Sequence, residues 1–103
     1  MRREELLSLR LHEAVADKLR TSPHLIAEAK ERLLKLSQRG QLHPHYQEAW
    51  QRWFTLDLKA QLLTLTSAEE AWIDMRQASP FAGFLSQHER MEVLRRFKRS
   101  WNN

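Results

Sequence analysis

Glycine and proline most narrow what this chain can become. Two Gly and three Pro occur in 103 residues, and a β-rich fold of that size needs more turn residues. The few present stand beside helix start and stop signals. "TSPH" offers Ser22 as an N-cap with Pro23 in the first helical position. Gly40 closes the helix that follows, and Arg39 before it suits the C-terminal dipole. "HPHY" restarts the chain with Pro44 near a first turn. "SAEE" sets Ser67 three residues before Glu70, and "SQHE" repeats that spacing with Ser86 and Glu89. Both read as capping boxes. Ser79–Pro80 and Gly83 interrupt helix between them.

This punctuation predicts five to six short helices, over about 4–20, 23–39, 44–54, 56–65, 67–78 and 86–101. Leu, Glu, Arg, Gln, Ala and Lys, all good helix formers, dominate the composition. The fold class is all-α: one compact bundle spanning residues 1–103.

Periodicity agrees. Leu25, Ile26, Ala29, Leu33 and Leu36 fall within about 100° of helix arc. Tyr46, Ala49, Trp50, Trp53 and Phe54 share one face of the third helix, with Glu48 and Arg52 turned away. The first helix is less orderly. Leu7, Leu11, Ala14 and Val15 make a stripe, but Leu6 and Leu9 lie off it. That helix either sits deep in the domain or presents a second apolar face to a partner.

Charge is unevenly placed. Residues 1–89 carry 12 Lys/Arg and 12 Asp/Glu, so the net +4 lies in residues 90–103. There Arg90, Arg95, Arg96, Lys98 and Arg99 face only Glu92. In "RRFKRSW" the basic and aromatic residues alternate along the chain but separate in space. Val93, Leu94, Phe97 and Trp101 share about 100° of arc, while Arg95, Arg96, Lys98 and Arg99 fill the rest. The expectation is that Phe97 and Trp101 dock in the core. The exposed basic face is free to meet phosphates or an acidic protein surface.

Motifs for chemistry are missing. There is no Cys, which removes disulfides and thiolate metal sites and fits a reducing compartment. His43 and His45 flank Pro44 without a third ligand at regular spacing, and read as caps of that turn. No metal or other cofactor is expected. No GxSxG and no Gly-rich phosphate loop occurs. Glu4–Glu5 and Glu69–Glu70 sit in first helical turns, where acids favour the dipole. No catalytic residue is assigned, and the expectation is a protein that is not an enzyme. The N-terminal segment lacks an apolar h-region, and no apolar run reaches the ~18 residues of a membrane span. A cytoplasmic location and no membrane partner are expected.

"ASPFAGFLS" admits two readings. Phe81, Phe84 and Leu85 either plug the end of the bundle or form an aromatic hook for a pocket on a partner. Trp72, on the side of Ala68 and Met75, is likewise open between core and interface. The candidate partner-binding residues are therefore Pro80, Phe81, Phe84, Trp72, Leu6 and Leu9. Arg95, Arg96, Lys98 and Arg99 are the candidate contact for nucleic acid or an acidic partner. Residues from "SAEE" to "FKR" also read as helix, turn, helix, but the connector exceeds the turn of a DNA-reading motif and the charges cluster at the wrong helix end.

At "LHPHYQEAW…SPFAGFLSQHERMEVLRRF" the chain resembles a group of small helical bacterial proteins that often end in a similar "SPFAG…L…ER…RR" segment. These are similar to antitoxin-like partners encoded beside a toxin in mobile or defence loci. The resemblance covers roughly residues 5–98, and its specific part is the "SPFAGFLS" turn with the helix after it. It implies a non-enzymatic protein that binds and restrains or assists an enzyme, and it transfers no functional residues. A phage-encoded inhibitor of a bacterial defence system and a nucleic-acid binder are the alternatives.

Overall fold

The computed structural model describes residues 1–102; residue 103 lies outside the described residues. Six helices run in the order α1 (Arg3–Thr21), α2 (Leu25–Gln38), α3 (Pro44–Trp53), α4 (Leu58–Leu65), α5 (Glu70–Arg76) and α6 (Gln87–Trp101). No strand occurs among the described residues. The radius of gyration is 13.6 Å, close to the ~13 Å of a folded domain of about 100 residues.

Most boundary signals act as the sequence suggests. Gly40 takes φ +65 after the Arg39 C-cap. Its N–H donates to the Ser37 carbonyl at 3.0 Å, and the Gln41 N–H donates to Leu36 at 2.9 Å. That is a Schellman closure, which left-handed backbone makes possible. At α6, Ser86 Oγ accepts from the Glu89 N–H at 3.1 Å, and Glu89 Oε1 accepts from the Ser86 N–H at 2.7 Å. His43 Nδ1 accepts from the His45 N–H at 3.1 Å, capping α3 ahead of Pro44.

Two expected starts differ. Ser22 does not N-cap α2; it is the C-cap of α1, with its N–H on the Lys18 carbonyl at 2.9 Å. Three i→i+3 turns from Ser22, Pro23 and His24 then lead into Leu25. The two helices are too close for Ser22 to serve both. Nor does Ser67 form a box with Glu70. Its N–H still closes the end of α4 on Thr64, and its Oγ accepts from the Glu69 N–H at 3.1 Å. Helix α5 therefore begins only at Glu70.

The core is aromatic. Trp50 is fully buried and meets Trp53, Trp72 and Phe81 edge to face, with centroids 5.4, 6.2 and 6.1 Å away. Val15, Ala16, Leu19, Leu33, Leu65 and Met75 complete it. Helix α1 packs on α4, α5 and α6. That explains its second apolar face: Leu9 is buried by the domain itself. The deep position holds for Leu9, while Leu6 is half-buried.

The "SPFAG" corner is the plug. Pro80 is fully buried and Phe81 is 2 % exposed, wedged between Trp53 at 5.5 Å and Phe84 at 5.4 Å. Lys18 clips the corner down. Its Nζ donates to the Phe84 carbonyl at 3.0 Å and to Glu89 Oε1 at 2.7 Å.

Candidate interaction surfaces

Burial divides the expected partner-binding residues. Pro80, Phe81 and Leu9 are enclosed and reach no partner without unfolding, which overturns the hook reading for Pro80 and Phe81 and the partner-facing reading for Leu9. The reason is the corner geometry: Gly83 at φ +84 folds the connector back, so Phe81 turns toward Trp50 and Trp53. Phe84 is half-buried against Phe81. Trp72 is half-buried too, and with His45, Leu56 and Met75 it lines a shallow pocket of about 340 Å³ between α3 and α5. Leu6 is half-buried on a different side of the molecule.

Leu6 belongs to a groove of about 690 Å³ between α1 and α6. Its apolar floor includes Leu6, Ala14, Val93 and Phe97, and its rim carries Arg10, Arg20, Arg96, Glu13 and Asp17. The two helices run antiparallel. Lys18 meets Glu89 at one end, and Arg3 meets Phe97 and Trp101 at the other.

Trp101 departs from expectation. Phe97 docks and is 5 % exposed, but Trp101 is 47 % exposed. The two share an arc, but Trp101 lies at the end of the α1–α6 pairing, beside Arg3, the first residue of α1. The Trp101 ring stacks on Phe97 at 5.8 Å, with the Arg3 guanidinium 5.1 Å from the Phe97 centroid and 6.0 Å from that of Trp101. Helical spacing gives no signal for this, because the missing cover is set by the register of α1 against α6.

The basic cluster also splits. Arg96 lines the groove rim. Arg95, Lys98 and Arg99 share the outer face with Glu92, and Arg95 Nη1 bonds Glu92 Oε1 at 2.7 Å. Arg96, Lys98 and Arg99 take part in no ion pair among the described residues. Lys98 and Arg99 also lie in the last turn of α6, where cations offset the helix dipole. By contrast the acids on the groove rim are answered: Glu13 bonds Arg10 at 2.8 Å, and Asp17 bonds Arg20.

A second groove, about 600 Å³, lies between α2 and α3. Leu33, Leu34, Ala27 and Phe54 line it, and Leu34 is 56 % exposed. Its charged neighbours, Lys30 and Glu31, are of opposite sign, so it carries no charge signature.

A buried polar cluster joins α1 to the corner, which the sequence did not reveal. His12 is 8 % exposed. Its Nδ1 lies 2.8 Å from the Ser8 carbonyl, which only accepts, so Nδ1 carries the proton. Nε2 then accepts from the Ser79 hydroxyl at 2.8 Å, and Ser79 Oγ accepts from the Phe81 N–H at 3.0 Å. Burial pushes the imidazole down to about 4; the Ser8 carbonyl opposes that, and the Arg76 charge adds to it. A base held so low abstracts a hydroxyl proton poorly near neutral pH. The geometry acts as a tie between α1 and the corner.

Among the described residues no three His, Cys, Asp or Glu come together to hold a metal ion. No described helix is long and apolar enough to cross a membrane. Comparison with protein families, with curated proteins and with solved structures finds no match.

Proposed function

We propose that this chain is a non-enzymatic protein-binding module of the antitoxin, inhibitor or accessory-subunit kind. It seats an acidic segment with an apolar edge, from a partner enzyme, in the groove between α1 and α6. A toxin or a defence enzyme is the partner class, the latter if the chain is a phage-encoded inhibitor. The observation that carries this reading is Trp101, exposed beside Arg96 at the end of an apolar-floored groove. Trp and Arg beside an apolar floor are the groups that dominate interface energies once a partner covers them. Arg96, the rim cation that takes part in no ion pair among the described residues, gives the site its preference for acidic partners. The cysteine-free composition agrees with a reducing compartment, and we place the protein in the cytoplasm as part of this reading.

One observation favours nucleic acid as a second reading. Trp101 offers an exposed ring near Arg3 and Arg96, the combination on which single-stranded bases stack. Against it, Trp101 is the one exposed aromatic ring there among the described residues, and a single ring is a short platform for stacking successive bases.

Affinity purification of the tagged chain from its host, at low and high salt and with nuclease, tests both. A stoichiometric protein that survives high salt and nuclease, and is lost with Trp101→Ala, supports the module. Nucleic acid alone, released with a steep salt dependence, refutes it in favour of the second reading.

A further inference from the structure

The corner holds more positive charge than its hydrogen bonds use. A cavity of about 210 Å³ opens between α1, α5 and the connector, lined among others by His12, Arg76, Gln77, Ser79, Gly83 and Arg90. No carboxylate lines it. Arg76 is 3 % exposed, yet only its Nη1 is satisfied, on the Leu65 carbonyl at 3.2 Å. Its Nε and Nη2 are buried without a protein partner. A guanidinium stays charged in a protein, and leaving it buried and uncompensated is costly. The acid acting on it is Glu13, which already bonds Arg10, three residues before it on α1, at 2.8 Å.

One further cation lines the cavity, and another stands over Gly83 at its edge. Arg90 lines the cavity from the second turn of α6. Arg32 of α2 reaches over Gly83: a Cβ on that glycine would lie 3.3 Å from Arg32 Nη1. None of Arg32, Arg76 and Arg90 takes part in an ion pair among the described residues. The Ser79 hydroxyl and the Gln77 amide add hydrogen-bonding groups to the lining. A water occupies about 30 Å³ in the liquid, so the cavity has room for a tetrahedral oxyanion with a water or two.

We infer that this cavity binds a phosphate group, free or carried on a partner, with Arg76 as its floor and Arg90 and Arg32 as its rim. Arginine is suited to this because its planar fork meets phosphate oxygens two at a time. The site is separate from the α1–α6 groove and stands whether or not that groove binds a protein.

The test is a ¹H–¹⁵N NMR titration of the full chain with sodium phosphate, with chloride adjusted to hold ionic strength. The expected result is saturable shifts at the Ser79, Phe81 and Gly83 amides, with Kd at or below about 10 mM. Arg90→Gln and Arg32→Gln should each weaken binding at least about fivefold, the loss of one charge-assisted contact, with thermal stability unchanged. Those rim variants carry the test, since Arg76→Met removes a core residue and could unfold the chain. Phenyl phosphate distinguishes the sources: binding as tight as that of phosphate supports a phosphorylated partner, and exclusion supports the free ion. Shifts that fail to saturate, map to Arg95–Arg99, or persist unchanged in Arg90→Gln overturn the inference.

Discussion

His12 sets a pH dependence of stability that can be worked out before it is measured. The imidazole is buried, with its proton on Nδ1 facing the Ser8 carbonyl and its Nε2 on the Ser79 hydroxyl. Its folded pKa is about 4, against 6.5 for the unfolded chain, with burial as the largest cause and Arg76 as a further one. The sign follows. A histidine depressed in the folded state contributes fully above the unfolded pKa. As pH falls below 6.5 the unfolded state takes up a proton that the folded state refuses, and stability drops until the folded pKa is passed. Integrated from pH 7.5 to pH 5, the loss is about 2 kcal/mol, and near pH 4 it approaches about 3 kcal/mol. The Arg2 N–H holds Glu5, and Lys18 with the Ser86 N–H holds Glu89, below the usual carboxylate range, so most of their effect falls below the window from 6.5 to 5. Urea unfolding at pH 7.5, 6.5, 5.5 and 5.0, on the native chain and on His12→Gln, reads the effect directly. The native chain should lose about 2 kcal/mol across that range relative to the variant. Ser79→Ala is the second arm. It costs about 1–2 kcal/mol at pH 7.5 by leaving Nε2 unpaired, but it keeps the slope, because burial remains. An imidazole that titrates near 6.5 by NMR in the folded protein, or an equal slope in His12→Gln, refutes the reasoning.

Phe81→Ala should destabilise by about 3–5 kcal/mol, read by thermal melting, since it empties the space between Trp50, Trp53 and Phe84. Trp101→Ala should cost only about 1 kcal/mol, because it removes one stacked ring and an exposed cation–π contact. If the groove is the working surface, the same change weakens partner binding by at least about 2 kcal/mol, or roughly thirtyfold. Gly40→Ala should cost about 1–2 kcal/mol in chemical denaturation from φ +65 alone, as nothing lies within 4 Å of the added carbon. Glu89 is held down to about 2, first by Lys18 and then by the Ser86 N–H. Its contribution is present above 4.5 and lost as pH falls toward 2. It is about 1 kcal/mol once screening is allowed for, and Glu89→Gln should remove it from the acid unfolding curve.

How far the sequence could be read depends on the range of the interaction read. Signals spanning a few residues were reliable: the Gly40 closure, the His43 cap and the Ser86–Glu89 box all form. Ser67–Glu70 has the same spacing as Ser86–Glu89 and fails, because Ser67 still belongs to the end of α4. A capping motif therefore states which bonds are available, and the preceding element decides whether the residue is free to make them. The same limit governs the helix faces. Phe97 and Trp101 share an arc, yet one is core and the other surface, because burial needs a neighbour at that height and α1 begins at Arg3. Arg95 and Arg96 are adjacent in one basic run, yet Arg96 enters the groove and Arg95 spends its charge on Glu92.

The least legible feature was the polar cluster, in which His12 of α1 meets Ser79 and Arg76 from a distant stretch of chain. No spacing rule links residues 67 positions apart. The stretch that brings them together was nonetheless the one that stood out. Pro80 and Gly83 force the connector to fold back, and that bend at once buries Phe81 and delivers Ser79 to His12. The same bend brings Gly83 beneath Arg32 and leaves Arg76 and Arg90 around one cavity. A corner built only to plug a core has no use for three arginines without carboxylate partners. Burying apolar groups there would be cheaper by the desolvation of Arg76 alone. The excess charge at the plug, rather than its aromatic rings, is therefore what sets this corner apart from packing.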